Sequence, residues 1–331
     1  MKVPNFRRGR SLNNTGFDSG TSYSSGRVLN KDGSNNVIKS GLSLFEDKSM
    51  YHTLINMSTR QFIVMSLLGF LTCNLFFAAI YYIIGIEHLG GNATDSSDFQ
   101  DFLDCFFFST QTLTTVGYGV LHPISNLSNF VSSIETLFGW MGFAVLTGLL
   151  YGRFSRPTAY VKFSENLLIT PHKGHHGLMF RFAPFKNNSL TDAEVQVNVT
   201  IQIEEDGKRV RKYFTLETEY SKIISLALSW TVVHLIDEAS PLYGLTFDDF
   251  NKGEIEVLVF FKAYDEHFSN TVQARTSYTF DDFVNNAKFV PMFKQSEDKN
   301  YTILELDKLN AFNRIDLEAI RCVANCNNLK I

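Results

Sequence analysis

Two long apolar stretches dominate the pattern of hydrophobic and polar positions in the first half of the chain. The first, residues 61–86, is a run of 26 residues without a charged side chain. The second, residues 130–150, contains a single acid, Glu135. A helix needs about 20 apolar residues to cross the hydrocarbon core of a bilayer. The pattern therefore predicts two membrane-spanning helices, which we place at residues 59–87 and 126–155.

A shorter apolar segment lies between the two predicted spans. Residues 99–111 are mostly apolar, and a glycine-containing run, TTVGYG, follows them at residues 114–119. Irregular backbone is tolerated at membrane depth only where it is buried in protein or lines a water-filled cavity. We therefore predict that residues 98–124 form a helix that enters the bilayer and an irregular segment that returns from it.

Two segments precede the first span. Residues 1–40 are rich in Ser, Asn and Gly and contain no apolar run that could serve as a signal peptide, so we predict a disordered tail. Residues 41–58 place apolar side chains at helical spacing among charged ones, which predicts an amphipathic helix lying in the membrane interface. An ordinary helix packed on a soluble domain would show the same pattern.

After Pro157 the long apolar runs give way to alternation with a period of two. Residues 193–203 (AEVQVNVTIQI) alternate between apolar and polar, and residues 253–264 are rich in β-branched and aromatic side chains. Repeated short strands separated by turns are typical of an antiparallel sandwich. The predicted fold class is a two-span helical membrane domain followed by an all-β sandwich domain over residues 158–331.

The distribution of charge gives the two spans an orientation. No Lys or Arg occurs from residue 61 to residue 152, although the chain contains 30 of them. Basic residues flank the spans outside this range: Lys48, Arg60, Arg153, Arg156 and Lys162. The positive-inside rule then predicts a multi-pass protein of the cell (inner) membrane with both termini in the cytoplasm. The net charge of -4 and the lack of a dense basic block argue against nucleic acid binding.

The TTVGYG run carries the most specific chemistry. Residues 115–119 (TVGYG) resemble the filter of potassium channels, in which backbone carbonyls replace the water around K⁺. Gly117 and Gly119 suit such a strand, because successive carbonyls face one side only where the backbone alternates into regions that side chains disfavour. Carbonyls of Thr115, Val116, Gly117 and Tyr118, with the Thr115 hydroxyl, would bind K⁺. One strand cannot surround an ion, so the motif predicts a homotetramer.

Enzyme chemistry finds no support in the sequence. The motifs of nucleotide binding, phosphate binding and zinc proteases do not occur, so we predict neither an enzyme nor a cofactor beyond the permeant K⁺. A Rossmann domain that binds a nucleotide is disfavoured by the alternating strands. Cys322 and Cys326 lack CxxC spacing and are interpreted as free thiols, with a metal site as the alternative.

Longer strings extend the resemblance beyond the filter. They are YHTLINMS at 51–58, FFFSTQTLTTVGYG at 106–119, GRFSRPTA at 152–159, LSWTVVHLIDEASPLYG at 228–244 and QARTSY at 273–278. Together they resemble the inward-rectifier potassium channel family, above all its prokaryotic branch, over about residues 37–295. The resemblance implies a tetrameric pore domain and an immunoglobulin-like sandwich, four copies of which surround a cytoplasmic extension of the pore. A two-span potassium channel regulated by another cytoplasmic ligand is the alternative.

The resemblance also implies roles for residues along the conduit. Phe143, Thr147 and Tyr151 would line it, with Phe143 at the position that controls block by intracellular cations and Tyr151 at the helix-bundle crossing. Asp192 matches an acidic residue of the cytoplasmic pore. Strong rectifiers carry carboxylates where this chain has Phe143 and Lys262, so the resemblance implies only weak block by Mg²⁺ or polyamines.

Four further residues are candidates for roles beside the filter and at the membrane surface. Gln111 would support the filter from behind, where many members carry Glu. Glu135 would either make a structural hydrogen bond behind the pore helix or contribute to the field in the cavity, and the sequence leaves both open. Arg153 and Arg156 meet the inner leaflet, where the family binds anionic phospholipid, although simple anchoring explains either residue alone equally well.

Overall fold

The computed structural model describes residues 27–38, 40–41, 50–91, 97–205 and 208–315. These residues form two compact units. The helical unit lies within Lys39–Arg156, and the β unit combines residues 27–38 with the chain from Pro157 onward. The boundary falls where the long apolar runs of the sequence give way to alternation.

The described part of the helical unit contains four helices: α1 (Met50–Asn56), α2 (Thr59–Ile84), α3 (Asp98–Leu113) and α4 (Asn126–Phe154). Helices α2 and α4 are 26 and 29 residues long and apolar enough to cross a membrane. Each begins at a capping serine, Ser58 or Ser125, whose hydroxyl accepts the N–H of the residue three positions later.

A turn and a short strand follow α2. Gly85, with a φ of 112°, ends α2, and a 3₁₀ turn at Ile86–His88 follows. Strand β1 (Leu89–Gly90) then pairs antiparallel with β2 (His122–Pro123). This pairing ties the chain after α2 to the chain that precedes α4.

The described part of the β unit contains two five-stranded sheets and a short helix, α5 (Phe247–Lys252), which lies between two of their strands in the sequence. The first sheet has the order β11-β10-β6-β7, with β8 also paired to β6, and its strands are β6 (Leu190–Glu205), β7 (Lys208–Leu216), β8 (Lys222–Ser225), β10 (Glu256–Asp265) and β11 (Asn270–Tyr278). The second has the order β12-β4-β5-β3, with β9 also paired to β5, and its strands are β3 (Val161–Phe163), β4 (Leu167–His172), β5 (His175–Pro184), β9 (Trp230–Ile236) and β12 (Phe283–Asn285).

The two sheets pack face to face around one core. Phe182 of β5 lies 4.9 Å from Phe261 of β10, measured between ring centroids, and 5.5 Å from Trp230 of β9. Buried apolar side chains of both sheets belong to this single cluster. The predicted sandwich is therefore confirmed, and it accounts for the apolar half of each alternating strand.

Residues 27–38 differ from the disordered tail that the sequence predicted. Leu29 is fully buried in a cluster with Tyr213 and Leu258, and its backbone N–H donates to the buried carboxylate of Glu256 at 3.1 Å. The prediction of disorder was wrong for these residues. The segment binds to the outer face of the first sheet through the apolar contacts of Leu29 and through the Glu256 carboxylate. Most of the predicted tail lies outside the described residues.

The same contact explains two buried polar residues of β6. Asn198 and Thr200 occupy the polar positions of the alternating pattern, yet both are buried. They pair in register with Leu258 and Tyr213, and cross-strand partners share a face of the sheet. The alternating pattern predicts that this face of the sheet is exposed to solvent, but the N-terminal segment around Leu29 covers it.

An extension after the sandwich is anchored by a buried arginine. Two small antiparallel pairs form it, β13 (Ala287–Phe289) with β16 (Phe312–Arg314) and β14 (Phe293–Gln295) with β15 (Thr302–Leu304). Arg181 of β5 donates to the backbone carbonyls of Leu309 and Val290 at 2.8 and 2.6 Å, and its guanidinium lies 4.4 Å from the Phe289 ring centroid. Burial lowers the pKa of Arg181 to about 10, so the side chain stays charged at neutral pH.

A buried histidine holds the loop in the string VHLIDEASPLYG (residues 233–244). The Nδ1 of His234 lies 2.6 Å from the carbonyl oxygen of Glu217, and its Nε2 lies 2.8 Å from the hydroxyl of Ser240. That hydroxyl also accepts the N–H of Leu242 at 3.1 Å. Burial lowers the pKa of His234, which favours the neutral ring in this position.

Candidate ion pathway

The TVGYG segment (residues 115–119) is attached to the C-terminal end of α3. The carbonyl of Gln111 accepts the backbone N–H groups of Val116 and Gly117 at 2.9 and 3.3 Å, and the carbonyl of Thr112 accepts that of Thr115 at 3.0 Å. The last carbonyls of a helix have no partner inside the helix. Here they position the start of the irregular segment.

The backbone of the TVGYG segment alternates between two conformations. Thr115, Gly117 and Gly119 have φ angles of 60°, 53° and 80°, whereas Val116 and Tyr118 between them have negative φ. Such alternation turns successive carbonyls to the same side of a strand. Sequence reasoning expected left-handed backbone at the two glycines and missed Thr115, because threonine itself does not signal it.

The TVGYG segment is open in a single chain. Val116 and Tyr118 are 52% and 77% exposed. A Cβ atom added to Gly117 or Gly119 would meet nothing within 4 Å. Apolar and aromatic side chains this exposed indicate a surface that other copies of the chain cover.

A cavity of about 440 Å³ lies beside the TVGYG segment. Its lining comes from α3, the TVGYG segment, β2 and α4, and includes Gln111, Thr112, Ser132, Ser133 and Thr136. The side-chain oxygen of Gln111 is buried and has no hydrogen-bond partner among the described residues. Gln111 therefore contacts the TVGYG segment through its backbone carbonyl, whereas its amide oxygen has no donor in the described part of the chain.

Glu135 of α4 joins three helices. Its fully buried carboxyl group accepts hydrogen bonds from the hydroxyls of Tyr81 on α2 and Ser109 on α3, at 2.7 and 2.5 Å. Buried polar groups in a membrane are expensive unless they are partnered in this way. Of the two roles that the sequence left open, the geometry favours the structural hydrogen bond behind α3.

The packing of α4 on α3 requires a glycine that sequence reasoning did not single out. A Cβ atom on Gly139 would lie 2.0 Å from the carbonyl oxygen of Leu113, the last residue of α3. Only hydrogen fits in this space. A glycine within an apolar helical run was the available signal, but the sequence does not show which element approaches it.

The three residues predicted to line the conduit share one face of α4. Phe143, Thr147 and Tyr151 are four residues apart along this helix, and Phe143 and Tyr151 are 73% and 74% exposed in the single chain. The hydroxyl of Thr147 donates to the carbonyl of Phe143 at 2.8 Å, so it is occupied within the helix. Their exposed face is available to other copies or to a water-filled conduit.

The two arginines at the end of α4 contact α1. Arg153 donates to three backbone carbonyls at the C-terminal end of α1, at distances from 2.7 to 3.1 Å. Arg156 donates to the side-chain oxygen of Asn56. Sequence reasoning assigned both arginines to lipid, whereas the structure gives both of them partners within the helical unit.

In the β unit, Asp192 is 74% exposed and its carboxylate lies 3.6 Å from the ammonium group of Lys222. The next acid on the same face of β6, Glu194, lies 3.7 Å from Lys262 of β10. Each acid thus has a lysine beside it. The charge of each of these two acids is therefore offset by a neighbouring ammonium group.

Two family models match the chain, one for each unit. The inward rectifier potassium channel C-terminal domain matches residues 161–330, and the ion channel model matches residues 69–156.

Several known proteins are similar over most of the chain. It is 38% identical to inward rectifier potassium channel Kirbac3.1 of Paramagnetospirillum magnetotacticum, over 81% of this chain and 89% of that protein. It is 24% identical to inward rectifier potassium channel 18 of Homo sapiens, over 83% of this chain and 67% of that protein. It is 25% identical to ATP-sensitive inward rectifier potassium channel 12 of Bos taurus, over 76% of this chain and 62% of that protein.

Proposed function

Because this chain belongs to the inward-rectifier potassium channel family, we propose that four copies conduct K⁺ through a filter built from their TVGYG segments. Its relatives are ion channels, which confirms that the chain is not an enzyme. The single observation that carries the filter assignment is the φ alternation at Thr115, Gly117 and Gly119. Four such strands around an axis would replace the water around K⁺ with carbonyl oxygens of Thr115, Val116, Gly117 and Tyr118.

We place the gate at Tyr151, on the exposed face of α4. Four aromatic rings at a crossing of the inner helices would exclude water, and an apolar constriction stops ions by dewetting. Phe143, two turns earlier on the same face, is the next candidate. With both termini in the cytoplasm of the cell (inner) membrane, this end of α4 meets the inner leaflet.

Anionic phospholipid is the proposed modulator. Basic side chains near the surface of an anionic leaflet gain about 1 kcal/mol each. Arg156 is exposed, and among the described residues its side chain makes one hydrogen bond, to Asn56, so its guanidinium retains donors for a phosphate group. We expect the lipid to inhibit conduction.

Weak block by internal Mg²⁺ or polyamine is the proposed rectification behaviour. The apolar Phe143 adds no negative charge to the conduit. The acids that would line the cytoplasmic pore, Asp192 and Glu194, lie beside Lys222 and Lys262. A near-neutral conduit concentrates multivalent cations little.

Purified protein in liposomes tests the proposed function. We expect uptake of ⁸⁶Rb⁺ that exceeds ²²Na⁺ uptake, falls when phosphoinositide is added and does not respond to nucleotide. Tyr151→Ala should raise basal uptake, because it removes the apolar constriction. Equal uptake of the two ions would contradict the filter, unchanged uptake in Tyr151→Ala would move the gate elsewhere, and a response to nucleotide would favour another cytoplasmic ligand.

A further inference from the structure

We propose that Arg153 is a positioning residue that fastens α1 to the end of α4, and that its guanidinium serves this contact instead of a lipid phosphate. The consequence for gating rests on the proposed function. The contact itself rests only on the geometry of the helical unit.

Helix α1 needs a partner for its C-terminal carbonyls. At seven residues it is too short to be stable in isolation, and the last carbonyls of a helix have no partner within it. Arg153 donates to the carbonyls of Leu54 and Ile55 through Nη1, at 2.7 and 3.1 Å, and to that of Met57 through Nη2, at 2.8 Å. A cation at this end of a helix also interacts favourably with the helix dipole.

Packing holds the guanidinium in this place. Its carbon lies 4.7 Å from the ring centroid of Phe62 in the first turn of α2, and Phe62 is 3% exposed. A Cβ atom on Gly152 would lie 3.4 Å from both Ile55 and Tyr51 of α1, so α1 lies directly against α4 beside Arg153. The contact therefore joins α1, the start of α2 and the end of α4.

This arrangement separates the two arginines by role. Arg153 donates to three backbone carbonyls at the C-terminal end of α1 and is half-buried, whereas Arg156 is exposed and has one hydrogen-bond partner among the described residues. Arg153 lies two residues after Tyr151, the proposed gate. A movement of α1 in the interface would therefore be transmitted through Arg153 to the gate, while Arg156 would meet the lipid phosphate.

Hydrogen exchange of the assembled channel in lipid nanodiscs tests the contact without relying on ion flux. The amides of residues 54–57 report on α1, since Met57 donates within the last turn to Thr53. Arg153→Gln removes the donors and the charge, and Arg153→Lys keeps the charge but replaces the planar fork of donors with a point charge. We expect exchange at these amides to rise about fivefold or more in both variants and to stay unchanged in Arg156→Gln.

Flux with increasing phosphoinositide separates positioning from lipid binding. We expect Arg153→Lys and Arg153→Gln to change basal flux while the half-effective lipid fraction stays within about twofold of wild type, and Arg156→Gln to shift that fraction by about fivefold or more. Unchanged exchange in both Arg153 variants overturns the proposal. So does a shift of the half-effective fraction in Arg153→Gln as large as that in Arg156→Gln.

The two proposals fail in distinguishable ways. A wild-type channel that does not respond to phosphoinositide refutes the proposed lipid modulation, and exchange of α1 still decides the role of Arg153. If Arg153→Gln does not assemble, Arg153→Lys alone tests the role of Arg153. A lysine keeps the charge that a lipid ligand needs but lacks the planar fork of donors that the contact with α1 needs.

Discussion

At the scale of single residues, the TVGYG segment depends on backbone conformations that most side chains disfavour. Thr115 adopts a left-handed conformation although it has a branched Cβ, and the two glycines adopt it without that cost. Beyond Gly117 itself and its two neighbours in sequence, no described residue of the chain lies within 4 Å of the position that a Cβ atom of Gly117 would take. Its importance in a single chain therefore lies in the conformation of its backbone, and a substitution there tests that conformation directly.

Gly117→Ala should abolish K⁺ selectivity or flux. A Cβ at a φ of 53° strains the strand by about 1 to 3 kcal/mol in each subunit, and four subunits share one filter. The measurement is the ratio of ⁸⁶Rb⁺ to ²²Na⁺ uptake into liposomes. Gly69→Ala is the matched control, since this helical position in α2 also has nothing within 4 Å of an added Cβ. Wild-type selectivity in Gly117→Ala would remove the filter assignment.

At the scale of elements, two buried side chains hold segments of the β unit in place. Arg181 collects backbone carbonyls from the extension that contains β13 to β16. His234 joins β9 to the chain after β7 and to the loop that follows β9. In both cases a side chain binds the backbone of a segment distant in sequence, and removing the side chain should loosen that segment.

Arg181→Met should destabilise the protein by about 3 kcal/mol or more, because each buried carbonyl that loses its partner costs about 1 to 3 kcal/mol. Thermal unfolding and limited proteolysis between residues 287 and 315 measure this effect. Lys288→Met, at an exposed position of β13, is the control and should have little effect. Equal resistance of Arg181→Met and wild type to proteolysis would show that the extension is held by its apolar contacts.

His234 should make the β unit less stable in mild acid. Burial lowers the pKa of His234 below the ordinary value of about 6.5, so the unfolded state binds a proton first as the pH falls. Stability should therefore be greatest above pH 7 and should decrease as the pH falls below about 6.5, where the unfolded state takes up the proton that folded His234 resists. Thermal unfolding at several pH values measures this decrease. His234→Asn, which keeps a donor toward Glu217, should show a flatter profile, and an equally steep profile would assign the effect to other groups.

At the scale of the whole molecule, each side chain occurs four times in the assembled tetramer. The family assembles as a tetramer, and the exposed Val116, Tyr118, Phe143 and Tyr151 of one chain are surfaces that such an assembly can use. A side chain on the axis contributes four copies of its charge to one narrow conduit. Charge at Phe143 should therefore have a large effect.

Phe143→Asp should strengthen voltage-dependent block by internal spermine. Four carboxylates in one conduit attract a polyvalent cation, and we expect the half-blocking concentration to fall by about tenfold or more. Patch recordings from reconstituted channels measure the block. In Phe143→Asn the new side chain has a shape similar to that of aspartate but no charge. Spermine should block this variant like the wild type or only slightly more strongly. Strong block of the wild type with no change in Phe143→Asp would contradict the proposed weak rectification.

The sequence by itself determined the architecture and the family. Period and length are local properties, so a run of 26 uncharged residues predicts a span and strict alternation predicts a strand wherever they occur. The TVGYG segment and the string VHLIDEASPLYG likewise carry their information in consecutive residues. The two-span helical domain, the sandwich and membership of the inward-rectifier family could all be predicted in this way, and each is confirmed.

Only the tertiary structure decided which distant groups meet. The acid at Glu135 could be predicted to need a partner, but Tyr81 and Ser109 are 54 and 26 residues away from it. Arg153 and Arg156 are the same residue type, and only the packing of α1 beside Arg153 brings three backbone carbonyls within reach of its donors. The sequence places Leu29 in a polar tail, whereas in the structure it packs against Tyr213 and Leu258 of the first sheet. Residue types state which bonds a side chain can make, whereas the fold decides which backbone groups come within reach.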